Sequence, residues 1–327
     1  MTASIRPDDW LRFIRGEYLD EFLKAGGASI KFVVPQETPM HDAILDGLCS
    51  DSEARGYLVA QVSASRTRIH MMDHLFFEIA AQIPWKRLAG EVLSQIAVSE
   101  GYTVPTETHP TFADALASAN QLDPGFLRTE LRRKIAAEVY RRFSMAKDFR
   151  IAMTQLCLAQ LIGGSDGTTT TDAITDWLLG STKTVASVKP YGIFTRINRA
   201  NARYAFESLL DWLRFAGCPG LVVTIDIARL TMAKNPLDGS VNYSKAARLD
   251  AYELLRQFVD ATDRLDGLLF VVVASPDFLD EGPGSRGIGD YQALKFRVYD
   301  EIRDTTLVNP MSALVRISSD AKAVTFR

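Results

Sequence analysis

The chain has 327 residues, 47% of them hydrophobic, and its 37 Lys and Arg against 40 Asp and Glu leave a formal charge of −3. That length buries a large core without metals or disulfides and forms about two domains or one enlarged one. No run of about 18 apolar residues occurs, which excludes a membrane helix, and the acidic balance confines any nucleic-acid binding to a local patch.

The opening residues, MTASIRPDDWLRFIRGEYLD, mix charges with spaced apolar side chains. They predict an amphipathic helix from about Asp8 to Lys24 rather than a signal peptide. Gly26-Gly27 leads into a short apolar strand, Ile30 to Val34, and after Pro35–Pro39 a helix is expected from Met40 to about Cys49. A second strand, Gly56 to Ser63, follows. This strand–helix–strand order opens a parallel α/β sheet.

From about Ile69 to Ile162 apolar residues recur at three- and four-residue spacing, as in WKRLAGEVLSQIAV and FLRTELRRKIAAEVYRRF, and predict helices only. Gly163–Gly167 with the Thr168–Thr171 run reads as a linker, and Asp172 as the N-cap of a helix carrying Trp177. A helix from about Arg196 to Phe215 then ends at Gly217. Leu221–Asp226 and Leu268–Ser275 are short apolar runs suited to buried parallel strands, separated by a helix from about Ser244 to Thr262. The predicted organisation is an α/β half (1–65), a helical insertion (66–195) and a second α/β half (196–327).

An apolar strand ending in Asp226 is how P-loop nucleotidases place a magnesium-binding carboxylate, and Ala274-Ser275-Pro276 would set a small hydroxyl, Ser275, beside phosphates. Many α/β proteins also end a buried strand with Asp. Wider similarity adds to this. Gly26–Val33, the Asp176–Gly180 helix, Asn201-Ala202-Arg203 before GLVVTID, and above all GLLFVVVASPDFLDEGPGSRGIGDYQALKFR (Gly267–Arg297) occur in one order. On these segments the chain resembles the BREX-type phage-defence ATP-binding proteins, the BrxC/BrxD-like P-loop family. The resemblance implies a P-loop NTPase-like (ASCE or AAA+-like) α/β fold with a large helical insertion, ATP and magnesium as the family's ligands, and other defence-system proteins as partners.

The chain departs from that pattern where the chemistry sits. The place of a GxxxxGK[ST] loop reads Pro35-Gln36-Glu37-Thr38-Pro39-Met40-His41-Asp42. Pro35 and Met40 stand at the glycines, His41 at the lysine and Asp42 at the hydroxyl. Proline lacks an N–H donor, a bulky residue resists positive φ, and histidine is mostly neutral near pH 7. After Asp226, Ile227 replaces the glutamate that would polarise water, and an alkyl group is no general base. These departures imply a pseudo-ATPase that needs no cofactor and acts by assembly with an active ATPase or helicase, as a homo- or hetero-oligomer that meets DNA through the complex. The alternatives are a genuine ATPase with an atypical site, using Asp226 for magnesium and Ser275 as sensor, and a DNA-binding adaptor.

Arg286 and Arg297 match the resembling block and could reach a neighbour's phosphate as a finger, or pair with Asp290 or Asp300. Between Phe126 and Arg150 stand eight basic and three acidic residues. Arg128, Arg132, Arg133, Arg141 and Arg142 would form a positive face, either plainly solvated or a contact for DNA phosphates or an acidic partner. His70 and His74 have helical metal-ligand spacing but no third ligand. Cys49, Cys157 and Cys218 lie far apart, which provides no disulfide framework or metal knuckle and points to a reducing, cytoplasmic setting.

Overall fold

The computed structural model describes residues 4–37, 39–105, 111–182, 184–232, 238–299 and 309–321. In chain order, α1 (Pro7–Phe13) continues as a wider, π-helical segment over Ile14–Phe22 and leads to β1 (Ala28–Pro35), α2 (Pro39–Glu53) and β2 (Leu58–Ser63). The helices α3 (Met72–Ala80), α4 (Trp85–Ser99), α5 (Phe112–Asn120), α6 (Pro124–Ile135), α7 (Lys147–Ile162), α8 (Gly164–Leu178) and α9 (Ala202–Phe215) follow. The chain then returns to strands with β3 (Leu221–Asp226), α10 (Ala228–Thr231), α11 (Lys245–Val259), β4 (Leu268–Val273), α12 (Gln292–Val298) and β5 (Leu314–Ile317). Two compact units result, one of residues 1–79 with 219–327 and one of 80–218. The division thus falls at 79/80 and 218/219, so α9 belongs with the helical unit, whereas the sequence placed the boundaries at 65/66 and 195/196.

In the first unit five strands pair in the order β2-β3-β4-β1-β5, all parallel. Continuous Val, Ile and Leu runs explain this, because a parallel sheet is covered on both faces. On one face Trp10, Phe13, Ile14 and Leu19, with Ile44 and Leu48 of α2, cluster with Val33, Leu269, Val271 and Val222. Side chains alternate along a strand, so Phe32 and Phe270 point the other way. There Phe258 of α11 meets Phe270 at 4.8 Å between ring centroids, and Phe278 stacks on Phe32 at 5.9 Å.

Lys31 breaks the apolar run of β1 yet is only 2% exposed. Its Nζ donates to the carbonyls of Met311 and Ser312 and lies 4.7 Å from the centre of the Tyr18 ring. Burial pulls its pKa down to about 8, since a charged ammonium loses its hydration there. The lysine thereby fastens the approach to β5 onto the sheet.

In the helical unit α7 packs against α4, α5, α6 and α8 and is apolar almost all round, as a central helix must be. Two expectations fail here. Gly164–Thr171 is the first part of α8, with Gly163 as its N-cap, not a linker, and Asp172 lies within that helix instead of capping it. Each threonine from Thr168 to Thr171 donates its hydroxyl to the carbonyl four residues back, which meets its polar demand inside the helix. Gly167 faces the Ala159 carbonyl so closely that a Cβ would lie 2.6 Å from it; glycine is what lets α8 fold back on α7. The helix expected from Arg196 begins at Ala202, because the Asn201 side chain accepts from the Asn198 N–H and donates to the Arg196 carbonyl, holding a turn.

The Phe258–Phe270 contact supplies the first test of this packing. Phe258→Ala should destabilise the sheet unit by about 3–5 kcal/mol, read as a lower urea midpoint with an unchanged slope. A change under about 1 kcal/mol would contradict it.

Candidate functional site

Ligands of open α/β sheets sit beyond the carboxyl ends of the strands, and the singled-out residues converge there. Pro35 is not in a loop: it is the buried last residue of β1 and pairs with Ile317. Met40, His41 and Asp42 form the first turn of α2, where Pro39 opens the helix and Met40 packs against the core. Proline suits that position because its missing N–H has no helical acceptor anyway. Only residues 36–38 connect strand to helix, with Thr38 outside the described residues. The expected degenerate phosphate loop is therefore a strand end and a helix start with a three-residue link.

That link is fastened on its β5 side. The Gln36 N–H donates to the Ile317 carbonyl at 2.8 Å, and the Met40 N–H to the Glu37 carbonyl at 3.1 Å. The Glu37 carboxylate accepts the Ser318 hydroxyl at 2.9 Å and the Ser319 N–H at 3.3 Å. Two backbone donors of this stretch, the N–H groups of Gln36 and Met40, thus have partners within the chain, and the Glu37 carboxylate stands between them.

His41 turns across the sheet edge toward β3. Its Nε2 lies 3.5 Å from Asp226 Oδ1, within ion-pair range but not aligned as a hydrogen bond, and its Nδ1 is 3.1 Å from Asp42 Oδ1. The Asp226 carboxylate raises the imidazole pKa; partial burial opposes this and Asp42 adds to it. Burial alone would push the Asp226 carboxyl up, but His41, the Ala228 N–H at 2.9 Å and the Ser63 hydroxyl at 3.4 Å outweigh it and hold it below its ordinary value. Ser63, which also bonds Ser65, escaped the sequence reading. Its one signal was its place as the last residue of β2, directly opposite Asp226.

The remaining candidates have surroundings of their own. Ser275 shares a hydroxyl–hydroxyl bond of 3.0 Å with Thr231 of α10. Ile227 is fully buried. Arg286 donates to the carbonyls of Leu230 and Tyr243, at 3.3 and 3.1 Å, and burial together with the nearby Arg248 lowers its pKa. Arg297 pairs with Asp260 at 3.1 Å, whereas Asp290 is taken by Arg248 and Asp300 lies outside the described residues. His70 and His74 do not share a helix: His70 sits in the turn before α3 and meets Tyr243 edge-on. Among the described residues no three His, Cys, Asp or Glu side chains gather to hold a metal, and no helix is long and apolar enough to cross a membrane.

Of the basic face, Arg128 binds Asp114 at 2.7 Å and Arg142 binds Asp211 at 2.6 Å. Arg132, Arg133 and Arg141 are exposed.

The His41–Asp226 pair has a pH signature. A histidine pKa raised above its unfolded value of about 6.5 contributes fully below that pH and is lost as pH rises through the folded value. The melting temperature of the wild-type chain should therefore fall relative to His41→Gln as pH is raised from about 6 to 8.5, by on the order of 2 °C for a half-buried pair. Parallel melting curves across that range would exclude the pair as a stabilising contact.

Comparison with known proteins bears on the same elements. Neither the curated proteins nor the solved structures contain a match to the chain. A family model described as BREX system ATP-binding protein BrxC/D matches residues 48–322, a span that includes β2, β3 with Asp226, β4 and β5 but starts beyond the first turn of α2. With most of its length matched, the chain belongs to the family of BREX system ATP-binding proteins.

Proposed function

We propose that this chain is a non-hydrolysing, P-loop-type member of its family, which serves the defence system by assembling with an active ATPase or helicase. The contact of His41 with Asp226 carries the reading. It sets the protein's own imidazole against the carboxylate that would hold magnesium.

Three further features support it. In the sheet, β4 lies between β1, which leads to the link, and β3, which ends in the carboxylate; that insertion is the strand order of ASCE-type P-loop proteins. Magnesium triphosphate does not fit the residues present. A phosphate cradle needs successive free N–H groups in a glycine-rich turn and a permanent cation, whereas the link is three residues long, is bonded to the end of β5, and carries the Glu37 carboxylate. Where a water-polarising glutamate would stand, Ile227 is buried. Arg286 and Arg297, both engaged within the chain, are not needed as fingers in this reading.

Titration calorimetry with ATP and magnesium separates the readings. No binding heat at nucleotide concentrations up to about 1 mM, a level at which an intact site is saturated, is the expected result, together with co-purification from the native host of a family member or helicase bearing an intact phosphate loop. ATP turnover that disappears in Asp226→Ala would overturn the proposal.

A further inference from the structure

The helical unit carries a cationic stripe that the nucleotide site does not explain. Beyond the first turn of α6 and along the π-helical turn that extends it (Ala136–Tyr140), the exposed residues are Thr129, Arg132, Arg133, Ala136, Ala137 and Tyr140, followed by Arg141. Spacings of three, four and seven residues put them on one face. No carboxylate lies on that face, and two alanines at its centre leave room for a chain to approach.

The neighbouring charges sharpen the contrast. Asp114 is occupied by Arg128, Asp211 by Arg142 and Glu100 by Lys134. Glu130 accepts the Tyr102 hydroxyl, and Glu138 is half-buried on the flank. Among the described residues Arg132, Arg133 and Arg141 form no ion pair. Three unbalanced guanidiniums on one stripe repel one another and favour an anionic partner.

Aromatic rings lie at both ends of the stripe. Phe126 is 54% exposed, Tyr140 45% and Phe143 74%. The Arg150 guanidinium lies 4.5 Å from the Phe143 ring centre and 5.8 Å from that of Tyr140. Phe143 also borders a groove of about 570 Å³ with the exposed rings of Phe194 and Tyr204. Large rings left in water beside cations are what an unstacked base can cover, while its phosphates follow the arginines. A duplex hides its base faces and would use the arginines alone. An acidic protein segment would likewise match the charge and leave the rings uncovered.

We propose that this face of the helical unit binds single-stranded nucleic acid, with phosphates along Arg132, Arg133 and Arg141 and bases on Tyr140 and Phe143. The inference is independent of whether the sheet unit holds nucleotide.

Fluorescence anisotropy of the full chain with a labelled oligo-dT of about 20 nucleotides, and with a duplex of equal length, tests it between about 50 and 200 mM salt. The single strand should bind more tightly than the duplex. Arg132→Glu/Arg133→Glu/Arg141→Glu should weaken it at least about tenfold and flatten the logarithmic salt slope by about 2, at roughly 0.7 per lost phosphate contact. Tyr140→Ala/Phe143→Ala should weaken the single strand about tenfold and leave the duplex unchanged. All five side chains are exposed, and the corresponding Arg→Gln set serves if charge reversal impairs folding. No saturable binding at the lower salt, indifference to the arginine changes, or aromatic changes that spare the single strand would each overturn the proposal, the first leaving an acidic protein and the last a duplex as the partner of the arginines.

Discussion

Three residues separate the end of β1 from the start of α2, and that short link governs the whole site. A strand that runs almost directly into a helix leaves little chain to curl around an anion. It does fix where the first turn of α2 falls, and so carries His41 to the mouth of the sheet beside Asp226. Glu37 and Gln36 hold the link to the end of β5, while Lys31 ties the approach to β5 back onto β1. The link and β5 are thus joined by several bonds, and the link leads directly into the turn that carries His41.

Much of the sheet was readable from sequence because its strands are short apolar runs bounded by Gly and Pro, a local property. β5 was missed: Leu314–Ile317 is four residues long with an arginine inside, and its place is secured by the distant partners β1 and Ile5. α8 was misread because glycine and threonine favour turns intrinsically. Close packing at Gly167 and threonine back-bonding, both invisible in a propensity, override that preference. In the site, His41 and Asp226 were each singled out, but their contact joins positions 185 apart in the chain (226 − 41). No local pattern announces such a pairing, and it changes the meaning of both residues.

The basic segment shows the same limit from the other side. Counting charges between Phe126 and Arg150 put five arginines on one face. The fold removes Arg128 and Arg142, whose guanidiniums are fixed to Asp114 and Asp211, and retains the three that follow the helical stripe. An ion pair of this kind contributes little stability when exposed. Its consequence is selective: it decides which cations remain for a partner and which serve the unit's own packing.

A carboxylate at the end of a buried strand is costly without a cation, which is the usual reason to expect magnesium at Asp226. The fold answers that cost internally. The carboxylate accepts the Ala228 N–H that opens α10, takes the Ser63 hydroxyl from the adjoining strand, and faces an imidazole whose pKa it raises. Each of these partners belongs to the chain, and together they hold the acid ionised. An aspartate at this position is therefore fully accounted for as a cap and counter-ion, so its identity alone is no argument for a metal. The test of a nucleotide site lies instead on the β1 side, where a cation and N–H donors would be needed and where Gln36 and Glu37 are bonded to the end of β5.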